Sequence, residues 1–229
     1  MKSLIIGMGE VGQALYNVLK VEPKGLELDV WGYDPFESYW EEPPSQWQAD
    51  ILHICFPYSE KFINEVRSYQ EKYKPRYTVI HSTVPTGTSK LCSAVHSPIR
   101  GLHPNLTEGI RTFVKFLGGE HASDIADYFR RAGLRVCIVD KAETTEAFKL
   151  FDTEYYRTCI EFAQRVKKYC DEHGLSFHEV YTLGNQTYNE GYTELGHPEF
   201  VRPVLQPIMK EIGGHCVLPN KELIKLSEK

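Results

Sequence analysis

Leu4-Ile5-Ile6-Gly7-Met8-Gly9-Glu10-Val11-Gly12 stands at the start of the chain, and its spacing decides the fold. The short apolar run reads as a buried strand. Three glycines follow at G-x-G-x-x-G spacing, and an amphipathic run from Glu10 to about Val21 reads as a helix. Leu26 to Tyr33 reads as a second strand, ending at Asp34-Pro35. Strand, turn, helix and strand in that order make a βαβ unit, whose two strands must run parallel.

The alternation continues. Ile51 to Phe56 reads as a third strand, stopped by Pro57, and Ser59 is placed to cap a helix running to about Tyr73. Tyr77 to His81 reads as a fourth strand, and Ser82-Thr83-Val84-Pro85-Thr86-Gly87-Thr88 as a turn opening a short helix. Leu102 and Phe116-Leu117 are assigned to further short strands, Ile125 to Ala132 to a helix, and Val136 to Val139 to a strand. The expected fold class is α/β: a Rossmann-type, doubly wound, mostly parallel sheet over residues 1–140.

The pattern changes after Asp140. Glu143 to His173 contains no proline or glycine, and Phe148, Phe151, Tyr155, Cys159, Phe162, Val166 and Tyr169 recur at helical steps. One helix of this length spans roughly 45 Å and is expected to find a partner, so residues 141–229 read as a small helical domain with a homodimerisation helix over 143–173. Ser176 with Glu179 forms a capping box. Residues 184–197 read as irregular and 200–212 as broken helix at most. Gly213-Gly214-His215-Cys216 reads as a tight turn, and Asn220 as the cap of a final helix to about Leu226.

A net charge of −5, without a run of like charge, argues against nucleic acid or an anionic membrane as the main partner. No apolar stretch approaches a membrane span. Six scattered cysteines without a C-x-x-C pair, behind a first strand that leaves no room for a leader, are expected to be reduced thiols of a cytoplasmic protein.

The opening turn carries the first functional expectation. Gly7 makes the bend, Gly9 lets backbone approach a pyrophosphate, and Gly12 lets helix pack on strand; Met8, Glu10 and Val11 complete the turn. The helix N-terminus then faces the phosphate charge. Asp34, at the end of the second strand, is suited to a ribose 2′-hydroxyl and repels a 2′-phosphate, which favours NAD over NADP. Pro57 ends the adjacent strand and joins the same cleft. S-adenosylmethionine is the alternative ligand, having the ribose without the phosphates.

Cys216 lies in a glycine-rich turn before a helix N-terminus, which favours thiolate, and His215 adjoins it. It is a candidate nucleophile or an unreactive half-buried thiol; zinc is disfavoured because no second ligand has the spacing. Lys149 is either a solvated helix lysine or an ammonium for a developing oxyanion. His103 follows a strand end on the face where α/β sheets place substrates, whereas His53 and His81 read as core histidines. Asn185, Tyr188, Asn189 and Tyr192 are either pocket residues or ordinary loop chemistry.

Three segments together resemble one family. Ser82 to Thr88 resembles an S-T-V-x-x-G-T turn beside the nicotinamide, which brings Ser82 and Thr83 to the cofactor. Glu143 to Gly174 resembles an A-E-x-x-K-x-x-x-N central helix with Lys149 on the lysine. Gly213-Gly214-His215-Cys216-Val217 resembles a G-G-H-C-I turn with Cys216 on the nucleophile. The chain thus resembles the UDP-glucose/GDP-mannose dehydrogenase family, including its UDP-N-acetylmannosamine members. The resemblance implies NAD, a homodimer and oxidation of an alcohol or aldehyde through Cys216, with Lys149 on the oxyanion and Glu108 orienting water or substrate. Asn105, Thr153, Asn185, Tyr188, His215 and Asn220 are the candidate substrate residues.

The departures are specific. The second Rossmann-like domain that completes the family's nucleotide-sugar site is expected to be lacking. Pro104-Asn105-Leu106-Thr107-Glu108-Gly109 stands for P-E-F-L-x-E-G, one position short. Thr153 replaces the helix asparagine, and Asn220 the aspartate after the cysteine. A single two-electron step, with His103 or Lys149 handling the proton, is therefore the variant chemistry. A methyltransferase using S-adenosylmethionine and an NAD-sensing binding protein are the alternatives.

Overall fold

A computed structural model of the protein describes residues 1–20, 29–101, 103–207 and 217–228. They fall into two compact units, Met1–Leu150 with Leu226–Lys229, and Phe151–Lys225.

The first unit is built on seven strands: β1 (Lys2–Ile6), β2 (Asp29–Tyr33), β3 (Ile51–Ile54), β4 (Tyr77–Ile80), β5 (Val95–His96), β6 (Lys115–Gly118) and β7 (Val136–Val139). Their order across the sheet is β2-β1-β3-β4-β5-β6-β7. Every pairing is parallel except β5 with β6. The chain steps from β1 outward to β2, then back past β1 to β3. That reversal opens a crevice at the carboxyl ends of β1 and β3, where open α/β sheets hold their ligands.

Helices cover both faces, which is why β1, β3 and β4 are nearly continuous apolar runs. Leu15 and Val18 of α1 (Glu10–Lys20) and Ile125 and Phe129 of α5 (Ala122–Arg131) pack with Ile5, Ile51 and Val79 on one face. Phe62 and Val66 of α2 (Phe62–Tyr73) pack with Leu4, Leu52 and Ile80 on the other. The sheet, its mostly parallel order and these helices agree with the sequence expectation.

Boundaries differ where side chains intervene. β3 stops at Ile54, although the Cys55 N–H still donates to the Ile6 carbonyl at 2.9 Å. Ser59 does not cap α2; its hydroxyl accepts from Lys61 N–H in the preceding turn. Leu102 and residues 26–28 lie outside the described residues. The strand in that region is the two-residue β5, and the helix α4 (Leu106–Thr112) follows it unanticipated. The 82–88 turn does open a short helix, α3 (Thr88–Leu91).

The long helix forms as one element, α6 (Ala142–His173). Ala142–Leu150 belongs to the sheet unit, and the remainder to the second. In that second unit the Ser176 hydroxyl accepts from Glu179 N–H at 3.4 Å, half of the expected capping box. The segment expected to be irregular is the helix α7 (Gly184–Glu194). Its polar residues turn their side chains back onto the helix: Asn185 donates to the Tyr181 carbonyl, Thr187 to Leu183 and Thr193 to Asn189, at 2.7–2.8 Å. Asn220 is likewise no cap. The last helix, α8, starts at Val217, and Asn220 is buried inside it. Proline at 219 is tolerated there because first-turn N–H groups have no helical partner.

Candidate functional site

The glycine turn has the geometry of a cradle. Gly7 sits at φ +89°, a conformation that disfavours side chains, and a Cβ there would stand 2.7 Å from the Phe56 nitrogen. A Cβ on Gly12 would stand 2.0 Å from the Gly7 carbonyl oxygen, so α1 can seat on β1 only without one. Gly9 differs: a Cβ there meets nothing within 4 Å. Its surface is bare backbone at a helix N-terminus, which suits the close approach of an anion.

Asp34 organises the edge of this cradle. Its carboxylate accepts the Met8 N–H at 2.8 Å and the Phe36 N–H at 3.0 Å, tying the glycine turn to the loop after β2. A carboxylate offers about four lone-pair sites, so two remain for the hydroxyls of a ribose. Pro57 is exposed just past β3. Ser82 instead braces the cleft wall: its hydroxyl donates to the Phe56 carbonyl at 2.6 Å. Thr83 is half-buried beside it.

A residue the sequence reading passed over holds the next turn. Glu146 of α6 is buried, and its two oxygens accept the N–H groups of Gly87 and Ser89 at 2.6 and 2.7 Å. Burial raises its carboxyl pKa, and the bonds to Ser89 and Gly87 pull it back. It stands three positions before Lys149, within the helix motif already singled out. His96 ties the same region together, donating Nε2–H to the Ser82 carbonyl and accepting from the Thr145 hydroxyl. Burial pushes His96 down to about 3, with Lys115 and Lys149 adding to the fall. Lys149 is half-buried, not a solvated surface lysine.

Beneath the crevice runs a buried polar line. His81 donates Nδ1–H to the Ser97 carbonyl at 2.8 Å, which leaves Nε2 to accept from His53 Nδ1–H at 3.0 Å. His53 and His81 are core histidines, as expected, although His53 Nε2 ends the line with no partner among the described residues. Lys115 is buried at its other end, donating to Ser97 at 3.4 Å. No carboxylate faces it among the described residues, and burial lowers its ammonium to about 7. No group of described side chains has the makings of a metal site.

The other candidates fall as follows. His103 lies against Glu10 at the start of α1, with Nδ1 at 2.7 Å from the carboxylate. Asn105 precedes α4 without capping it, and Glu108 is exposed on its first turn. Within the second unit, Asn185 is occupied by the Tyr181 carbonyl, and Asn189 is clipped at both ends to the Arg202 backbone, at 2.8 and 2.9 Å. Tyr188 packs at a tilt against Tyr192, with the Arg202 guanidinium 3.5 Å from its ring centre. Thr153 is half-buried on α6. Cys216 and His215, with the turn expected at 213–216, lie outside the described residues. The other five cysteines are free thiols.

No protein-family model matches the chain, and no curated protein matches it. Solved structures do share its fold. UDP-D-ManNAc dehydrogenase from Pyrococcus horikoshii superposes with a TM-score of 0.77 at 17% identity, over 100% of this chain and 65% of that one. NDP-N-acetyl-D-galactosaminuronic acid dehydrogenase from Methanosarcina mazei Go1 gives 0.71 at 16% identity, over 99% and 60%. 3-Hydroxyisobutyrate dehydrogenase from Salmonella typhimurium gives 0.57 at 13%, over 86% and 79%. The chain therefore spans about two thirds, or less, of the two nucleotide-sugar enzymes it matches almost end to end. At these identities the likeness establishes the fold.

Proposed function

We propose that the protein is an NAD-dependent oxidoreductase acting on an alcohol or aldehyde of a small substrate. One observation carries this: the Asp34 carboxylate closes on Met8 N–H beside the bare backbone of Gly9. That arrangement suits the ribose and pyrophosphate of a dinucleotide together. The turn and the N-terminus of α1 supply the diphosphate donors, and the carboxylate disfavours a 2′-phosphate, which selects NAD over NADP.

Bound in this cradle, NAD would supply a hydride acceptor for a carbinol carbon. Lys149 is the candidate base for the hydroxyl proton. The names of the two extensively matched enzymes make nucleotide-linked N-acetylated hexoses the first substrates to assay. The role of Cys216 as a nucleophile rests on the sequence resemblance. Cys216→Ala separates it: if the thiol adds to an aldehyde, the variant loses the acid product, whereas unchanged turnover removes it from the chemistry.

Titrating NADH into the protein and following nicotinamide fluorescence tests the cofactor assignment. Saturable binding is expected, with NADPH binding more weakly. Absence of NADH binding at millimolar cofactor overturns it, and calorimetry with S-adenosylmethionine then tests the alternative ligand. A second copy covering the exposed aromatic band of α6 completes the proposal, supported by the length of that helix and the exposure of its rings.

A further inference from the structure

α1 begins at Glu10. A carboxylate therefore stands at the very helix N-terminus where the cofactor assignment, on which this inference rests, places a diphosphate. Two like charges there repel, and Glu10 also competes for the positive end of the helix. The fold brings a counter-group from far along the chain. His103 Nδ1 lies 2.7 Å from Glu10 Oε2, and both side chains are about half exposed, at 49% and 46%.

The loop that carries His103 is held in place. Its flanks close on two glycines: a Cβ on Gly109 would stand 2.5 Å from the Gly101 Cα. α4, which follows, packs against α1. Backbone packing thereby holds the segment that carries His103 beside the start of α1.

We propose that Glu10 and His103 form a charge-compensating latch at the mouth of the glycine turn, which favours diphosphate-bearing ligands as long as the imidazole covers the carboxylate. The latch acts on the diphosphate and not on the adenosine. His103 is accordingly a positioning residue for the cofactor, not the proton carrier of the reaction.

A double-mutant cycle tests this. NADH, ADP-ribose and adenosine are titrated into the wild type, His103→Ala, Glu10→Gln and the double variant, at low salt in mildly acidic buffer where imidazoles carry charge. An exposed pair contributes little to folding, and thermal melts confirm that each variant is folded. His103→Ala is expected to weaken NADH and ADP-ribose about fivefold, to leave adenosine unchanged, and to recover at high salt. In the Glu10→Gln background the same substitution is expected to have no effect. A loss that persists in that background, or that extends to adenosine, overturns the latch, as does a His103→Ala protein that binds NADH like the wild type. A wild type that binds none of the three ligands overturns the cofactor assignment instead.

Discussion

Lys115 is the least comfortable side chain in the sheet unit. It is an ammonium sunk among His81, Ser97 and the Phe129 ring. Burial holds its pKa at about 7, far below the ordinary lysine value, and holds His53 and His96 at about 3. For each group the unfolded chain binds the proton more tightly than the folded one, so acid favours unfolding. The sign runs the same way in two windows. The lysine's penalty is complete below about 7 and is relieved as pH rises toward the unfolded value; the histidines withdraw stability as pH falls from about 6.5 toward 3. Lys115→Met keeps the volume and removes the charge, while His81 still satisfies the Ser97 carbonyl. Chemical denaturation at neutral pH is expected to show a gain of about 1–3 kcal/mol, with the dependence above pH 7 flattened and the acid limb softened, because the Lys115 charge adds to the lowering of both histidines. A loss of stability in this variant would mean that the lysine's hydrogen bond outweighs its desolvation.

At the scale of elements, the glycine turn separates a structural from a ligand-facing demand within a few residues. Gly12→Ala drives a methyl against the Gly7 carbonyl, and a destabilisation of about 3 kcal/mol or more is expected, since backbone on both sides must shift. Gly9→Ala adds a methyl to open space. It is expected to melt like the wild type yet to bind NADH at least tenfold more weakly, because the methyl stands where the diphosphate must approach. Equal NADH affinity in Gly9→Ala would show that the ligand does not use this turn. That turn was legible because its information is local: spacing, a following amphipathic run and a terminal aspartate. α6 was legible for the same reason. β5 was not, since two residues carry no periodicity, and α4 was hidden by Gly109 inside it. α7 looked irregular because its Asn and Thr residues favour loops until their side chains bond back to the helix. The Lys115–His81–His53 line and the Glu146 clasp could not be read at all. Each joins strands or turns distant in sequence, and only the order of the sheet brings them together.

The whole molecule presents a different problem, because α6 leaves large rings in water. Phe151 is 62% exposed, Tyr155 63%, Phe162 47% and Tyr169 54%. They recur at steps of four and seven along one helix, the spacing of a seam that packs against another helix. A rim of ion pairs accompanies it: Arg157 bridges Glu154 and Glu161, and Lys167 bridges Asp171. An apolar band with a charged border is the composition of a protein interface, and an interface between copies needs only this chain to be complete. Light scattering after gel filtration is therefore expected to give about twice 26.4 kDa. Phe151→Glu with Tyr155→Glu, which places like charges within the seam, is expected to yield the monomer while leaving NADH affinity within about twofold, since neither residue belongs to the unit that holds the glycine turn. A wild-type monomer at micromolar concentration would remove the second copy from the proposal, and the band would then need another protein to cover it.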